Sequence, residues 1–205
     1  MTNTTKVKIC GITRLEDALL AEKLGANALG FIFAKSPRQI SVTDAAKITK
    51  QLSPFTHRVG VFVNQEIDII LNTVKQAKLS IVQLHGDEDT RIINALQDIV
   101  TIKAFQVNQD SDFTEIEKCP ADAILLDAYS KKARGGLGKV FNWDIIPKKL
   151  RKKIILAGGI GADNVLKAIN KVCPMAVDAS SLLEDTPGCK NHQKLKDFFN
   201  QIKLS

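Results

Sequence analysis

Short apolar runs recur along the chain at intervals of roughly 25 residues, each followed by a stretch whose apolar positions lie three and four apart. The short runs are rich in Val, Ile, Leu and Phe and predict β-strands over residues 7–10, 28–33, 58–63, 80–84, 100–105, 123–127, 153–157 and 175–178. The stretches between them predict helices over 15–24, 67–77, 87–96 and 193–202, with two more opening at Thr43–Asp44 and near Asp163. Residues 112–118 offer only a stub. Glu16 and Asp17 suit the positive end of the first helix, and Gly25 is its stop, because glycine takes the left-handed conformation cheaply. Strands alternating with helices imply a parallel sheet covered on both faces. Eight such units close into a ring. The expected fold is therefore α/β, a single (β/α)8 TIM barrel over residues 1–205 with a short or irregular fifth helix.

Composition narrows the function. Hydrophobic residues make up 44% of the chain, enough for a core without a disulfide or metal staple. The four cysteines, Cys10, Cys119, Cys173 and Cys189, are scattered and form no metal-ligand spacing with the three histidines, so no metal is expected. The net charge of +7 raises the question of nucleic acid, but the basic residues are dispersed and one Trp with one Tyr makes no stacking platform. A basic surface that draws in an anionic metabolite fits better. The first residues lack the apolar core of a secretory signal and no segment has the length of a membrane span, so the reading is cytoplasmic, with no membrane partner. The chain itself leaves monomer and homodimer open.

A barrel collects its chemistry where the eight strands end. The unusual residues of this chain fall there: Cys10 after the first strand, Arg38 after the second, Asn64 after the third and His85 after the fourth. Asp127 closes the sixth, Gly158 and Gly159 follow the seventh, and residues 178–181 end the eighth. Each has a plainer reading beside the functional one. A strand cysteine is commonly inert packing, an aspartate after a strand commonly caps a turn, Arg38 follows a Ser-Pro turn, His85 suits a structural role, and paired glycines punctuate turns. The Gly159-Ile-Gly161 segment mimics a dinucleotide fingerprint but lacks its third glycine and sits in the seventh unit, so no nicotinamide cofactor is expected.

The same residues form an ordered set that resembles the phosphoribosylanthranilate isomerase family almost from end to end. The matching segments are Lys-Ile-Cys-Gly-Ile-Thr at 8–13, Gly-Phe-Ile-Phe at 30–33, Ser-Pro-Arg at 36–38 and Gly-Val-Phe-Val-Asn at 60–64. They continue with Gln-Leu-His-Gly-Asp-Glu at 83–88, Leu-Asp at 126–127, Gly-Gly-Leu-Gly at 135–138, Leu-Ala-Gly-Gly at 156–159 and Val-Asp-Ala-Ser-Ser at 177–181. The resemblance implies an isomerase of tryptophan biosynthesis that converts an N-linked aminoaldose phosphate into an aminoketose by Amadori rearrangement. This is an aldose–ketose isomerase reaction run by acid and base with no cofactor, because the iminium formed on ring opening is its own electron sink.

By that resemblance Cys10 is the base and Asp127 the acid. The base needs thiolate character, so neighbouring donors or cations are expected to lower the Cys10 pKa. The acid must stay protonated, so burial is expected to raise that of Asp127. Arg38 is the candidate for the anthranilate carboxylate, since a guanidinium meets a carboxylate in two parallel hydrogen bonds. His85 and Asp178 line the mouth. Gly158, Gly159, Ser180 and Ser181 are expected to hold the phosphate, where bare backbone allows close approach. Gly136 and Gly138 belong to a loop expected to close over the ligand.

Two positions depart from the family's pattern. Leu182 stands where the family carries glycine, and Asn191 where it carries aspartate. The leucine is expected to crowd the phosphate and raise KM. Another phosphosugar isomerase on the same barrel is an alternative, although the related enzyme of histidine biosynthesis uses paired aspartates where this chain has Cys10. A non-catalytic phosphosugar-binding relative is a second alternative, disfavoured by the retained cysteine and aspartate.

Overall fold

The computed structural model describes residues 5–128 and 141–203. Its parallel strands close a barrel in sequence order: β1 (Lys6–Cys10), β2 (Ala28–Ile32), β3 (His57–Phe62), β4 (Ile81–Leu84), β5 (Val100–Val107), β6 (Ala123–Ala128), β7 (Ile154–Leu156) and β8 (Ala176–Ala179). β8 pairs back onto β1, with Lys8 in register with Asp178. The helices are α1 (Leu15–Leu24), α2 (Val42–Thr49), α3 (Ile67–Ala77), α4 (Thr90–Ala95), α5 (Thr114–Lys118), α6 (Val165–Val172) and α7 (His192–Ile202). No helix among the described residues is long and apolar enough to cross a membrane.

Strand alternation makes two cores. One face of each strand looks outward and packs under the helices, where Ile9, Leu29, Phe31, Phe62, Leu84 and Leu126 are fully buried. Each such side chain contributes about 1.5–3 kcal/mol relative to exposure. The other face fills the barrel interior with Val59, Ile102, Ala104, Leu125, Ile155, Ala157 and Ala176. The inward positions nearest the strand ends include Cys10, Gln83, Asp127 and Asp178, which line the cleft together with apolar Ile32, Val61 and Ala157.

Local chemistry explains the boundaries. Gly25 ends α1 with φ +114° and donates its N–H to Ala21 and Glu22 carbonyls, as the sequence predicts. α2 begins earlier than Thr43 because Ser41 is its cap and accepts from the Asp44 N–H. α4 begins three residues later than expected, because Asp89 caps it by accepting from the Arg91 and Ile92 N–H groups. The fifth helix is indeed a stub of five residues.

An element absent from the sequence reading follows β8. A single 3-10 turn, Ser181–Leu183, leads into a small antiparallel pair, β9 (Glu184–Thr186) with β10 (Cys189–Lys190). Gly188 makes the tight return with φ +84°. This hairpin packs beside the barrel mouth and brings Glu184 and Lys190 to it.

Candidate active site

One cleft of about 890 Å³ opens at the C-terminal ends of the strands. Cys10, Arg38, His85, Asp127, Gly158, Gly159, Asp178, Ser180 and Ser181 all line it. Gly136 and Gly138 lie outside the described residues. Thiol and carboxyl, 117 positions apart in sequence by their numbers, therefore share one opening.

Cys10 is the last residue of β1 and is buried. Ser180 donates its hydroxyl to the Cys10 carbonyl at 2.9 Å, tying the end of β1 to the end of β8. The thiol has cations nearby, Lys8 and Lys190, but their pull does not win. Burial pushes the Cys10 pKa above its ordinary value, the Asp178 carboxylate adds to that, and Lys8 only opposes it. This corrects the sequence expectation of a lowered thiol pKa, which counted cations without the loss of solvent.

Asp127 ends the run Ile124–Leu126 and is buried, with Oδ1 accepting from the Ala128 N–H at 2.9 Å. Its other oxygen lies 3.5 Å from His85 Nε2. Gln83 Nε2 lies 2.8 Å from His85 Nδ1 and holds the ring with Nε2 toward Asp127. Gly158 packs against the same carboxylate. Its φ of +81° and a space with Ala128 N only 2.5 Å from where a Cβ would stand leave room for no side chain.

Arg38 lies where the sequence reading puts it, and Glu184 fixes its orientation. Nε lies 3.0 and 2.9 Å from the two Glu184 oxygens, and Nη2 2.8 Å from one of them. Lys190 grips Glu184 from the other side at 2.7 Å. Burial would raise the Glu184 pKa, but the hydrogen bond from Arg38 and the charge of Lys190 outweigh it and hold the carboxylate below its usual range. The opposite edge of the Arg38 fork, Nη1 with the second Nη2 hydrogen, makes no hydrogen bond among the described residues, and such an edge can meet a carboxylate.

The loop carrying His85 has its own support. Glu88 accepts from the backbone N–H groups of Asn64 at 2.7 Å and Gly86 at 2.8 Å, and pairs with buried Lys103 at 2.8 Å. This accounts for the Gln-Leu-His-Gly-Asp-Glu motif as one structural unit.

A family model described as N-(5′-phosphoribosyl)anthranilate (PRA) isomerase matches residues 7–201. The chain belongs to that family. The N-(5′-phosphoribosyl)anthranilate isomerase of Geotalea uraniireducens is 48% identical over 202 residues, covering 97% of this chain and 98% of its own length. A solved phosphoribosylanthranilate isomerase in complex with reduced 1-(o-carboxyphenylamino)-1-deoxyribulose 5-phosphate is 40% identical with a TM-score of 0.84, covering 98% of this chain and 100% of its own. Monomers generated from the dimeric phosphoribosylanthranilate isomerase of Thermotoga maritima give 39% and 0.87 over the same shares.

Against the pattern of phosphoribosylanthranilate isomerases, the two departures are absorbed locally. Leu182 is half-exposed and packs over Gly161, whose added Cβ would meet it at 3.1 Å, and it is absent from the cleft lining. Its backbone is not left-handed. The Leu182 side chain thus lies against Gly161 rather than in the cleft lining. Asn191 caps α7, accepting from the Lys194 N–H at 2.8 Å, a role either amide or carboxylate fills. Sequence reasoning missed Lys8, Gln83, Glu184 and Lys190. A lysine on an apolar strand and a glutamine two residues before His85 were the available signals for the first two.

Proposed function

We propose that this chain isomerises N-(5-phosphoribosyl)anthranilate to 1-(2-carboxyphenylamino)-1-deoxyribulose 5-phosphate in tryptophan biosynthesis, with Cys10 as general base and Asp127 as general acid. The observation that carries the residue roles is the convergence of the thiol and the carboxyl on one cleft that also holds an oriented guanidinium. Asp127 gives its proton to the ring oxygen as the C1′–O bond breaks and the nitrogen lone pair forms the iminium. The Cys10 thiolate takes the C2′ proton, and the iminium nitrogen receives the displaced π pair. The enolamine then tautomerises, C1′ gaining a proton as the C2′ hydroxyl loses one. Arg38 meets the anthranilate carboxylate, and His85 and Asp178 flank the sugar. Gly158, Gly159 and Ser181 face the phosphate with backbone N–H groups, while the Ser180 hydroxyl is committed to Cys10.

The working place is the cytoplasm and the partner a phosphosugar. The assembly is a homodimer, supported by Phe55, which is 91% exposed in the turn before β3 on the face opposite the site. The test of the chemistry is turnover by fluorescence loss of phosphoribosylanthranilate. Cys10→Ser and Asp127→Asn each cut kcat by about 100-fold or more while circular dichroism stays native. Near-normal turnover by Cys10→Ser removes the thiol from the mechanism.

A further inference from the structure

A base at Cys10 must act as a thiolate, and a buried strand end is a poor place to form one. Lys8 stands two residues earlier on β1, so both side chains enter the barrel interior. The lysine is 2% exposed. Its Nζ lies 2.9 Å from Asp178 Oδ2, directly across the pairing of β1 with β8, and its charge bears on the Cys10 sulfur. Room for the meeting comes from Gly30, the register partner of Cys10. A Cβ at that position would lie 2.7 Å from Cys10 Sγ and 3.2 Å from Lys8 Nζ. Asp178 Oδ1 stays buried without a hydrogen-bond partner among the described residues.

Burial works against charge on both members of the Lys8–Asp178 pair, pushing Asp178 up, while the negative charge of Asp178 and of Cys10 outweighs burial and carries Lys8 above its ordinary value. The pair is charged, because a neutral Asp178 would leave the buried ammonium uncompensated. A buried ion pair adds little to stability over apolar residues of equal size. A cation beside a thiol, by contrast, favours the thiolate.

We propose that Lys8 is a positioning residue for the proton transfer, its ammonium held by Asp178 as the counter-ion of the Cys10 thiolate. The inference rests on Cys10 being the base, as set out above. The groups bearing on the thiol are Lys8 on its own strand, Asp178 from β8 and Lys190 from β10; β2 brings only Gly30. Asp127 from β6 and His85, just after β4, bear on Asp178 across the mouth. Both cations are paired with carboxylates, and of the two Lys8 bears more strongly on the sulfur. In the step itself the thiolate takes the C2′ proton to become a thiol, the C–H electron pair becomes the C1′–C2′ double bond, and Lys8 keeps its protons.

The test is the ionisation of Cys10 in ligand-free protein, read by thiolate absorbance against pH, with Cys10→Ser supplying the background of the other three cysteines. Lys8→Met raises the midpoint by about 1–3 pH units, and Asp178→Asn lowers it. The acid limb of kcat/KM moves the same way in each variant, and Lys8→Arg, which keeps the charge, stays near wild type. A purely structural pair gives both variants the same sign. An unmoved midpoint in folded Lys8→Met overturns the proposal, and so does a midpoint that fails to fall in Asp178→Asn, which decides the matter alone should Lys8→Met not fold. Failure of the base assignment looks different: Cys10→Ser then turns over normally, whatever the midpoints do.

Discussion

Glu184 holds Arg38 edge-on with both carboxylate oxygens, at 2.8–3.0 Å, from a hairpin that lies outside the barrel itself. The guanidinium is thus aimed before any ligand arrives, and less ordering cost remains for binding. Glu184→Gln should raise KM about ten-fold, the equivalent of about 1.4 kcal/mol, with a smaller change in kcat. It also leaves buried Lys190 without its counter-charge, so the unfolding free energy should fall by about 3 kcal/mol. Steady-state kinetics and urea denaturation check the two effects separately, and an unchanged KM would show that Arg38 aims itself.

Leu182→Gly should leave KM within about two-fold of wild type, because the leucine packs against Gly161 and does not line the cleft. The sequence pattern alone predicts the opposite, a tighter substrate after the change. Side-by-side Michaelis curves decide between them, and a several-fold fall in KM would favour the sequence reading.

Acid should unfold the chain through its buried carboxylates. Burial would raise Glu88, but the hydrogen bonds from Lys103 and the Asn64 N–H prevail and hold it below its usual range, as Arg38 and Lys190 hold Glu184. A folded pKa below the unfolded one contributes stability that is complete above about pH 4.3 and is lost as pH falls through the folded value. Urea midpoints should therefore be flat between about pH 7 and 5 and fall steeply below about pH 4. Glu88→Gln should flatten that fall, at the cost of lower stability at neutral pH. An equally steep acid limb in the variant would take Glu88 out of the explanation.

Phe55→Glu should convert a dimer into a monomer without loss of turnover, since residue 55 lies on the face away from the cleft. Light scattering on the eluting protein reads the mass directly. A wild type that already runs as a monomer at assay concentrations ends the dimer proposal.

The barrel was legible because buried parallel strands leave short apolar runs at regular spacing, and the cleft residues were legible because a barrel has one functional end. What escaped shares a physical cause. The segment around Glu184 and Cys189 carries no alternation of apolar and polar residues, so a two-stranded hairpin held by charge leaves no periodic trace. Lys8 and Lys103 sit on strands whose neighbours are apolar, and only the fold reveals that Asp178 and Glu88 await them. The acidity of Cys10 was misjudged for the same reason, because solvent exclusion depends on β2 and β8, which sequence does not bring alongside β1. Gly158 and Gly159 were found as bare backbone, yet Gly158 is also required for contact with Asp127.

The seam between the first strand and the last joins Lys8 to Asp178 and Cys10 to Ser180, each pair 170 residues apart along the chain. A chain still lacking its final strand has no counter-charge for the lysine and no anchor for the cysteine carbonyl. Catalytic competence is therefore the last property such a molecule acquires as it folds, arriving only when the circle is complete.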